Sequence, residues 1–159
     1  MANVTKLMIG IPTHKDYCLY KFFINFLKLK KPLNCQTYIY DDQPVSKCRN
    51  QIVKRALQWD ATHLLFLDDD MTLPENAIEV LLNHDKDIVG LLAFKRREPF
   101  LPVIYKAKNN DPSTYETIVN YEQGLIPVDA TGAACLMIKM DVFRNIPMPW
   151  FEFLKDPVN

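Results

Sequence analysis

The chain has 159 residues, of which 48% are apolar, which suits one domain with a substantial hydrophobic core. Nineteen basic and nineteen acidic side chains give a formal net charge of zero. No overall electrostatic field therefore attracts nucleic acid or an anionic membrane, and only a local basic cluster would do so. The four cysteines form no CxxC pair, which indicates reduced residues of a cytoplasmic protein. We expect no signal peptide and no transmembrane segment, since no stretch approaches the roughly 20 apolar residues that span a bilayer.

The chain opens with the pattern of one strand followed by one helix. The apolar run Lys6–Ile11 predicts a buried strand. The loop at its carboxyl end consists of Pro12, Thr13 and His14. Asp16 then suits the N-cap of a helix. The apolar residues of this helix recur at helical spacing: Leu19, Phe22, Phe23, Phe26 and Leu27.

A second predicted strand, Gln36–Tyr40, ends in Asp41 and Asp42. Two interpretations of this acidic pair stay open. The carboxylates belong to a turn or cap the next helix, or one of them accepts hydrogen bonds from the base or sugar of a ligand.

The segment Val45–Trp59 predicts a helix with one apolar face, and Arg49 lies near the centre of that face. A guanidinium that points at a core is costly unless it is paired, and it cannot lose its proton. We therefore expect Arg49 to pair with an acidic strand end or a ligand anion, with outward snorkelling as the alternative. Asn50 is a weaker candidate for the same site.

Three consecutive carboxylates, Asp68, Asp69 and Asp70, follow the unbroken apolar run Leu64–Leu67. Such a run predicts a strand covered on both faces, as in a parallel sheet flanked by helices. Side chains alternate along a strand, so we expect Asp68 and Asp70 to point to one side and Asp69 to the other. Neighbouring carboxylates repel unless a cation lies between them. Ligands of open α/β sheets bind at the carboxyl ends of strands, so the triplet predicts a metal or ligand site, with a solvated loop as the alternative.

Pro74 and Glu75 mark the start of another helix, and Asp87–Phe94 is a further continuous apolar strand. Three cations follow that strand directly: Lys95, Arg96 and Arg97. They are either solvated or placed to contact a diphosphate at the strand end.

From Pro99 onward the alternation of strands and helices stops. Short β-like runs at Leu101–Tyr105 and Thr117–Tyr121 flank a turn-forming stretch at residues 108–113. The small residues of 128–134 permit close approach of a ligand to the backbone or tight packing against a strand. Cys135–Met140 predicts a last strand before a helix capped by Asp141, and an aromatic segment at 147–153 lines a binding surface or seals the core.

These patterns predict an α/β fold with a mostly parallel sheet flanked by helices and a smaller β-rich C-terminal part. We interpret the chain as a single domain with a nucleotide-binding αβ half at residues 1–98. The β-rich half at residues 99–159 would lie on the acceptor side.

The assembled motifs resemble those of nucleotide-sugar glycosyltransferases of the GT-A fold, nearest to the family 2-like members. The resemblance covers most of the chain, and its most specific part is the acid triplet on a buried strand. The matching segments are Pro12-Thr13-His14, Asp41-Asp42, Cys48-Arg49-Asn50, Asp68-Asp69-Asp70, the hairpin TGAACLMIKMDVF and Pro149-Trp150-Phe151.

The resemblance implies a role for each matching residue. The nucleotide and its base would contact Pro12, Thr13, His14, Asp41, Asp42, Arg49, Asp68 and Asp69. Mn²⁺ or Mg²⁺ would bind to Asp68 and Asp70 and bridge the diphosphate. The chemistry agrees, because a hard cation on carboxylates neutralises the charge that develops on a departing nucleoside diphosphate.

The implied function is metal-dependent transfer of a sugar from a nucleotide diphosphate sugar, with a UDP-sugar as the expected donor, to an unknown acceptor. Members of this family generally continue into an acidic motif that supplies the catalytic base, whereas this sequence ends at Asn159 without it. Asp129 and Glu152 are the nearby acids, neither matches the motif, and no catalytic residue is assigned.

Three alternatives follow. A truncated or non-catalytic nucleotide-sugar-binding domain is the first. A sugar-phosphate nucleotidyltransferase is less favoured, because it expects a glycine-rich loop after the first strand, where this chain has PTHKDY. A phosphatase with an aspartyl nucleophile expects its acids on the first strand, which contradicts the order found here.

Overall fold

The computed structural model describes residues 4–14, 16–108 and 111–153, without the side chains of residues 111–113. This part of the chain contains eight strands and four helices. In chain order they are β1 (Leu7–Thr13), α1 (Tyr20–Lys28), β2 (Cys35–Asp41), α2 (Val45–Gln58), β3 (His63–Leu67), α3 (Ala77–Asn83), β4 (Ile88–Gly90), β5 (Ile104–Lys108), β6 (Asp111–Thr117), β7 (Ala130–Thr131), β8 (Cys135–Lys139) and α4 (Met140–Asn145).

The main sheet has five strands in the order β2-β1-β3-β8-β4. Strand β1 pairs in parallel with β2 and β3, whereas β8 is antiparallel to both β3 and β4. A separate sheet in the order β6-β5-β7 is antiparallel throughout. The prediction of a mostly parallel, GT-A-like sheet is therefore wrong, and the fold is a mixed α/β architecture.

The error has a physical origin in β8. Its residues Cys135–Ile138 are as deeply buried as those of β3, because β8 lies in the middle of a sheet covered on both faces. An unbroken apolar run indicates burial on both faces, but it does not indicate the direction of the strand. Strand β8 inserts between β3 and β4, which themselves run in the same direction.

Two apolar layers cover the main sheet. One contains buried residues of α1 and α3, and the other contains buried residues of α2 and α4. Helix α2 approaches β1 closely at Gly10, where an added Cβ would overlap the buried side chain of Ile52. A glycine at this point lets the helix pack directly on the strand that leads to Thr13.

Several element boundaries differ from the expectation. Helix α1 begins at Tyr20, with Leu19 rather than Asp16 at the N-cap, and only Phe22 of its predicted apolar face is fully buried. Helix α3 begins three residues after Pro74, and β4 ends at Gly90. Phe94, the last residue of the predicted strand, lies outside the main sheet and forms a single bridge with Pro102.

The β-rich part also departs from the predicted runs. Strand β6 begins within the predicted turn and ends at Thr117, where the second predicted run was expected to start. Residues 109 and 110 of that turn lie outside the described ranges, as do residues 1–3 and 154–159. None of the helices described is long and apolar enough to cross a membrane.

Candidate functional site

The candidate site lies where three parallel strands end. Thr13 at the end of β1 pairs with Asp41 at the end of β2, and the Asp42 amide donates to the Thr13 carbonyl over 3.4 Å. Strand β3 ends at Leu67, so the acid triplet follows at the same edge of the sheet. We call this the carboxyl edge.

The triplet forms a turn instead of continuing the strand. The Asp68 amide donates to the Ala134 carbonyl over 2.9 Å, and the Met71 amide donates to the Asp68 carbonyl over 3.2 Å. Strand β3 ends at Leu67, so the strand on which the expected alternation of Asp68 and Asp70 against Asp69 rested does not reach the triplet. Each carboxylate instead meets a different part of the fold.

The middle acid is held by the first strand. The Thr13 hydroxyl donates to Asp69 Oδ2 over 2.8 Å, and this bond links residues 56 positions apart. It connects the end of β1 to the turn after β3. Asp69 therefore orients the turn through Thr13.

Arg49 lies against the first acid, as its position on α2 predicted. Its Nη2 is 3.3 Å from Asp68 Oδ1, and its guanidinium carbon lies 5.9 Å from the ring centre of Phe66 and 6.0 Å from that of Phe151. Among the described residues, the buried Nε of Arg49 has no hydrogen-bond partner. The guanidinium is thus held between two aromatic rings and a carboxylate, with a donor left over.

The third acid meets the basic run that follows β4. Arg96 forms an ion pair with Asp70 through Nη2 and Oδ2. Three carboxylates in one turn are thus met by one hydroxyl and two guanidiniums.

Burial raises the pKa of Asp68 above its ordinary value, and the neighbouring Asp70 and Asp69 carboxylates add to this effect. Arg49 acts in the opposite direction but does not cancel them. A further cation would therefore stabilise the ionised form of Asp68.

Carboxylate oxygens, which the triplet supplies, are the ligands that hard divalent cations prefer. No group of three or more His, Cys, Asp or Glu side chains is arranged as a metal cage within the described ranges. Mg²⁺ in phosphate-transfer sites is typically held by one or two carboxylates together with substrate phosphates. Asp68 and Asp70 match that pattern.

The two acids at the end of β2, Asp41 and Asp42, differ from each other. Asp42 accepts from the Gln43 amide over 2.7 Å and pairs with Lys47 over 2.6 Å, and Lys47 lowers the pKa of Asp42. The turn interpretation therefore describes Asp42, whereas Asp41 is exposed at the strand end. At the end of β1, Pro12 is buried and His14 is exposed.

Asn50 has a positioning role that the sequence pattern did not reveal. Its side-chain oxygen accepts from the amides of Trp150 and Phe151 over 2.9 and 3.2 Å, and its nitrogen donates to the Phe151 and Ser46 carbonyls over 2.6 and 2.9 Å. The aromatic segment is thereby fixed beside Arg49. Trp150 and Phe151 lie about 100 positions away from Asn50 in sequence, so no local signal identifies these partners.

The aromatic segment and Arg49 enclose a cavity of about 280 Å³, which Glu152 also lines. Asp129, the other acid considered as a base, instead accepts from the Ala107 amide over 2.8 Å and pairs with Lys106 on β5. A larger apolar cavity of about 940 Å³ lies between β4, β8 and residues 124–131 and does not include the triplet. Of the two acids, only Glu152 shares a cavity with a residue of the carboxyl edge.

Comparison with solved structures identifies proteins of similar fold. A crystal structure of A197 from STIV is similar to this chain with a TM-score of 0.59, at 18% identity, over 91% of this chain and 70% of that chain. At this identity the similarity concerns the fold alone. No protein-family model matches the sequence, and no curated protein matches it either.

Proposed function

We propose that this chain binds a nucleotide diphosphate sugar through a divalent cation at the carboxyl edge and transfers the sugar to an acceptor. The observation that carries the proposal is the acid triplet in one turn, contacted by Thr13, Arg49 and Arg96 from three separate parts of the fold. Carboxylates attract a cation, and guanidiniums attract a phosphate. Their combination at one strand edge suits a cation bound to a diphosphate.

Within this proposal, each acidic residue has its own role. Asp68 and Asp70 hold Mn²⁺ or Mg²⁺, whose charge offsets the negative charge that develops on the departing diphosphate. Asp69 keeps the turn in place through Thr13. Of the acids at the end of β2, the exposed Asp41 is the one placed to accept hydrogen bonds from the base.

Arg96 has two roles in the proposal. It neutralises Asp70 in the unliganded protein, and its side chain is long and largely exposed. A cation bound at Asp70 would displace the guanidinium, which would remain at the same edge. It would then pair with the diphosphate, which is one of the two interpretations of the basic run.

Acceptor activation is assigned to Glu152, because it shares the cavity beside Arg49. The carboxylate would take the proton of the acceptor hydroxyl as the sugar is transferred. A second candidate function is nucleotide-sugar binding without transfer. It is favoured because Asp129, the other acid considered as a base, is bound to Lys106 and the Ala107 amide on the second sheet. That engagement leaves Glu152 as the sole nominated base.

Isothermal titration calorimetry tests the binding step. UDP is titrated into the protein with Mn²⁺ and with the metal removed by a chelator, and uridine serves as the ligand without a diphosphate. We expect binding of UDP that requires Mn²⁺ and no comparable binding of uridine. Equal affinity for UDP with and without the metal would contradict the proposed site.

Measurement of UDP release tests the transfer step separately. The protein is incubated with UDP-sugars, Mn²⁺ and either water or candidate acceptors, and the Glu152→Gln variant is the comparison. Release that falls in the variant while UDP binding is unchanged supports transfer. Normal metal-dependent binding without release from any UDP-sugar supports the binding domain instead.

A further inference from the structure

The outer face of α1 carries an apolar stripe that no part of the described chain covers. Tyr20, Phe23 and Leu27 occupy positions i, i+3 and i+7 and therefore project from one side of the helix. Their exposed fractions are 76%, 48% and 61%. The residues immediately before the helix, Tyr17 and Leu19, are also exposed. Helical spacing alone assigned Leu19, Phe23 and Leu27 to the apolar face, but the fold leaves them in solvent.

The orientation of this stripe is set by contacts on the opposite face of α1. Phe22 is buried in the core. The Asn25 side chain donates to the Leu73 carbonyl over 2.8 Å and accepts from the Leu73 amide over 2.7 Å. Rolling the helix to bury the stripe would break this pair of hydrogen bonds and expose Phe22. The outward position of the stripe is therefore a property of the fold.

Lysines flank the stripe. Lys21 and Lys28 are exposed and seven residues apart, so they share the side of the helix next to the stripe. Residues 17–34 contain four lysines and no acidic residue, although the whole chain has no net charge. The exposed Asp16 immediately precedes this segment, and near its other end the Lys30 amide donates to the Glu75 carbonyl over 2.8 Å. Within α1 itself, the charged residues are Lys21 and Lys28, and both are positive.

We infer that this face of α1 docks on an anionic lipid surface. Aromatic and leucine side chains on one side of a helix enter the boundary between headgroups and acyl chains, and flanking lysines reach the phosphate-bearing headgroups. The occupant follows from charge complementarity. A second copy of the chain on the same face would bring the lysines of both copies together, whereas an anionic membrane neutralises them.

Co-sedimentation of the full chain with vesicles tests this inference, which is independent of the proposed enzymatic function. One set of vesicles contains equal parts of phosphatidylcholine and phosphatidylserine, and the other contains phosphatidylcholine only. We expect binding to the anionic vesicles that weakens as salt is added. Replacement of both lysines, Lys21→Gln with Lys28→Gln, is expected to lower the partition coefficient by roughly fivefold for each lysine.

The apolar stripe is tested with matched triple variants. Tyr20→Ser, Phe23→Ser and Leu27→Ser together should abolish sedimentation with vesicles. Serines at three exposed apolar positions elsewhere, Val119, Leu125 and Ile146, should leave it unchanged. Circular dichroism and urea unfolding establish that both triple variants are folded, since the replaced side chains lie at the surface.

A second readout uses the exposed Cys18, which lies next to the stripe. A solvatochromic dye attached to Cys18, in a Cys35→Ser background, should shift its emission to the blue on anionic vesicles only. Absence of sedimentation by the native chain, or equal sedimentation by the two triple variants, overturns the inference. So does a stable dimer in gel filtration that the stripe variant, but not its control, dissociates.

Discussion

The acid triplet at the carboxyl edge and a set of three aspartates at the amino edge carry equal numbers of carboxylates but differ in burial. At the carboxyl edge, the side chains of Asp68 and Asp70 are 33% and 18% exposed. At the amino edge, before β3 and β4, Asp60, Asp85 and Asp87 are 84%, 84% and 79% exposed. Both clusters have basic partners. Partial burial, and not the number of charges, distinguishes the candidate site from a solvated face.

The difference matters because exposed ion pairs are screened by solvent. The lysine and arginine partners at the amino edge therefore contribute little to stability. At the carboxyl edge, partial burial strengthens every interaction, and Asp68 retains a raised pKa despite its guanidinium partner. The proposed cation would stabilise the ionised form of Asp68 beyond what Arg49 provides.

The largest expected effect comes from removing a guanidinium at each edge. Arg49→Met leaves Asp68 partly buried without its partner, and we expect the free energy of unfolding to fall by about 2 kcal/mol. Arg144→Met removes exposed pairs with Asp60 and Asp141 and should cost less than about 1 kcal/mol. Urea denaturation of both variants measures the contrast, and equal losses would erase the distinction between the edges.

Truncation of Asn50 should have the next largest effect. Asn50→Ala removes the hydrogen bonds that hold Trp150 and Phe151, and we expect a loss of about 1.5 kcal/mol in the free energy of unfolding. The same change should alter the tryptophan emission of the folded protein, because Trp150 loses its fixed position. Gln51→Ala, one position further along α2, is the control. A stability loss in the control as large as that of Asn50→Ala would assign the effect to helix α2 in general.

For the replacement of Arg96, we predict changes in binding affinity of opposite sign in two titrations. Arg96→Gln removes the competitor for Asp70, so Mn²⁺ alone should bind more tightly. With Mn²⁺ present, UDP should bind roughly tenfold more weakly, which corresponds to about 1.4 kcal/mol, because the diphosphate loses a charged donor. Arg97→Gln carries the same change of charge one residue away and serves as the control. Changes of the same sign in both titrations would refute the dual role.

The smallest expected effect is a difference in pH dependence between the edges. Burial raises the pKa of Asp68, so ionised Asp68 costs stability near neutral pH, and the cost disappears as pH falls through its raised pKa toward the ordinary value. Lys139 lowers the pKa of Asp85, so its contribution is present above the ordinary value and is lost as pH falls through the lowered pKa. Relative to Asp68→Asn, the native chain should gain stability on acidification. Relative to Asp85→Asn it should lose stability, and trends of the same sign would contradict these assignments.

The sequence was informative where a local pattern determines the structure. Leu64–Leu67 predicted a buried strand, and the position of Arg49 on an apolar helical face predicted its acidic partner. The direction of β8 was not predictable, because burial on both faces is compatible with either direction. The turn at the triplet was missed because alternation was extended beyond the last strand residue, Leu67.

Other features depend on contacts between distant residues. The bonds of Asn50 to the aromatic segment span about 100 positions, and the exposure of Phe23 depends on which side of α1 the sheet covers. Periodicity identified the apolar residues of α1, but it did not indicate which of them the core buries. Arg96 belonged to a basic run for which a solvated position and contact with a diphosphate both stayed open, and its pairing with Asp70 required the fold.

The central claim is that the carboxyl edge binds a cation and a diphosphate together. Electron paramagnetic resonance of Mn²⁺ with UDP tests it most directly, in the native chain and in two variants that each remove one carboxylate. We expect the spectrum of protein-bound Mn²⁺ to disappear in Asp70→Asn and to persist in Asp85→Asn, where asparagine also tolerates the left-handed backbone at φ 47°. Bound Mn²⁺ that persists in Asp70→Asn, or that is lost equally in both variants, would contradict the claim.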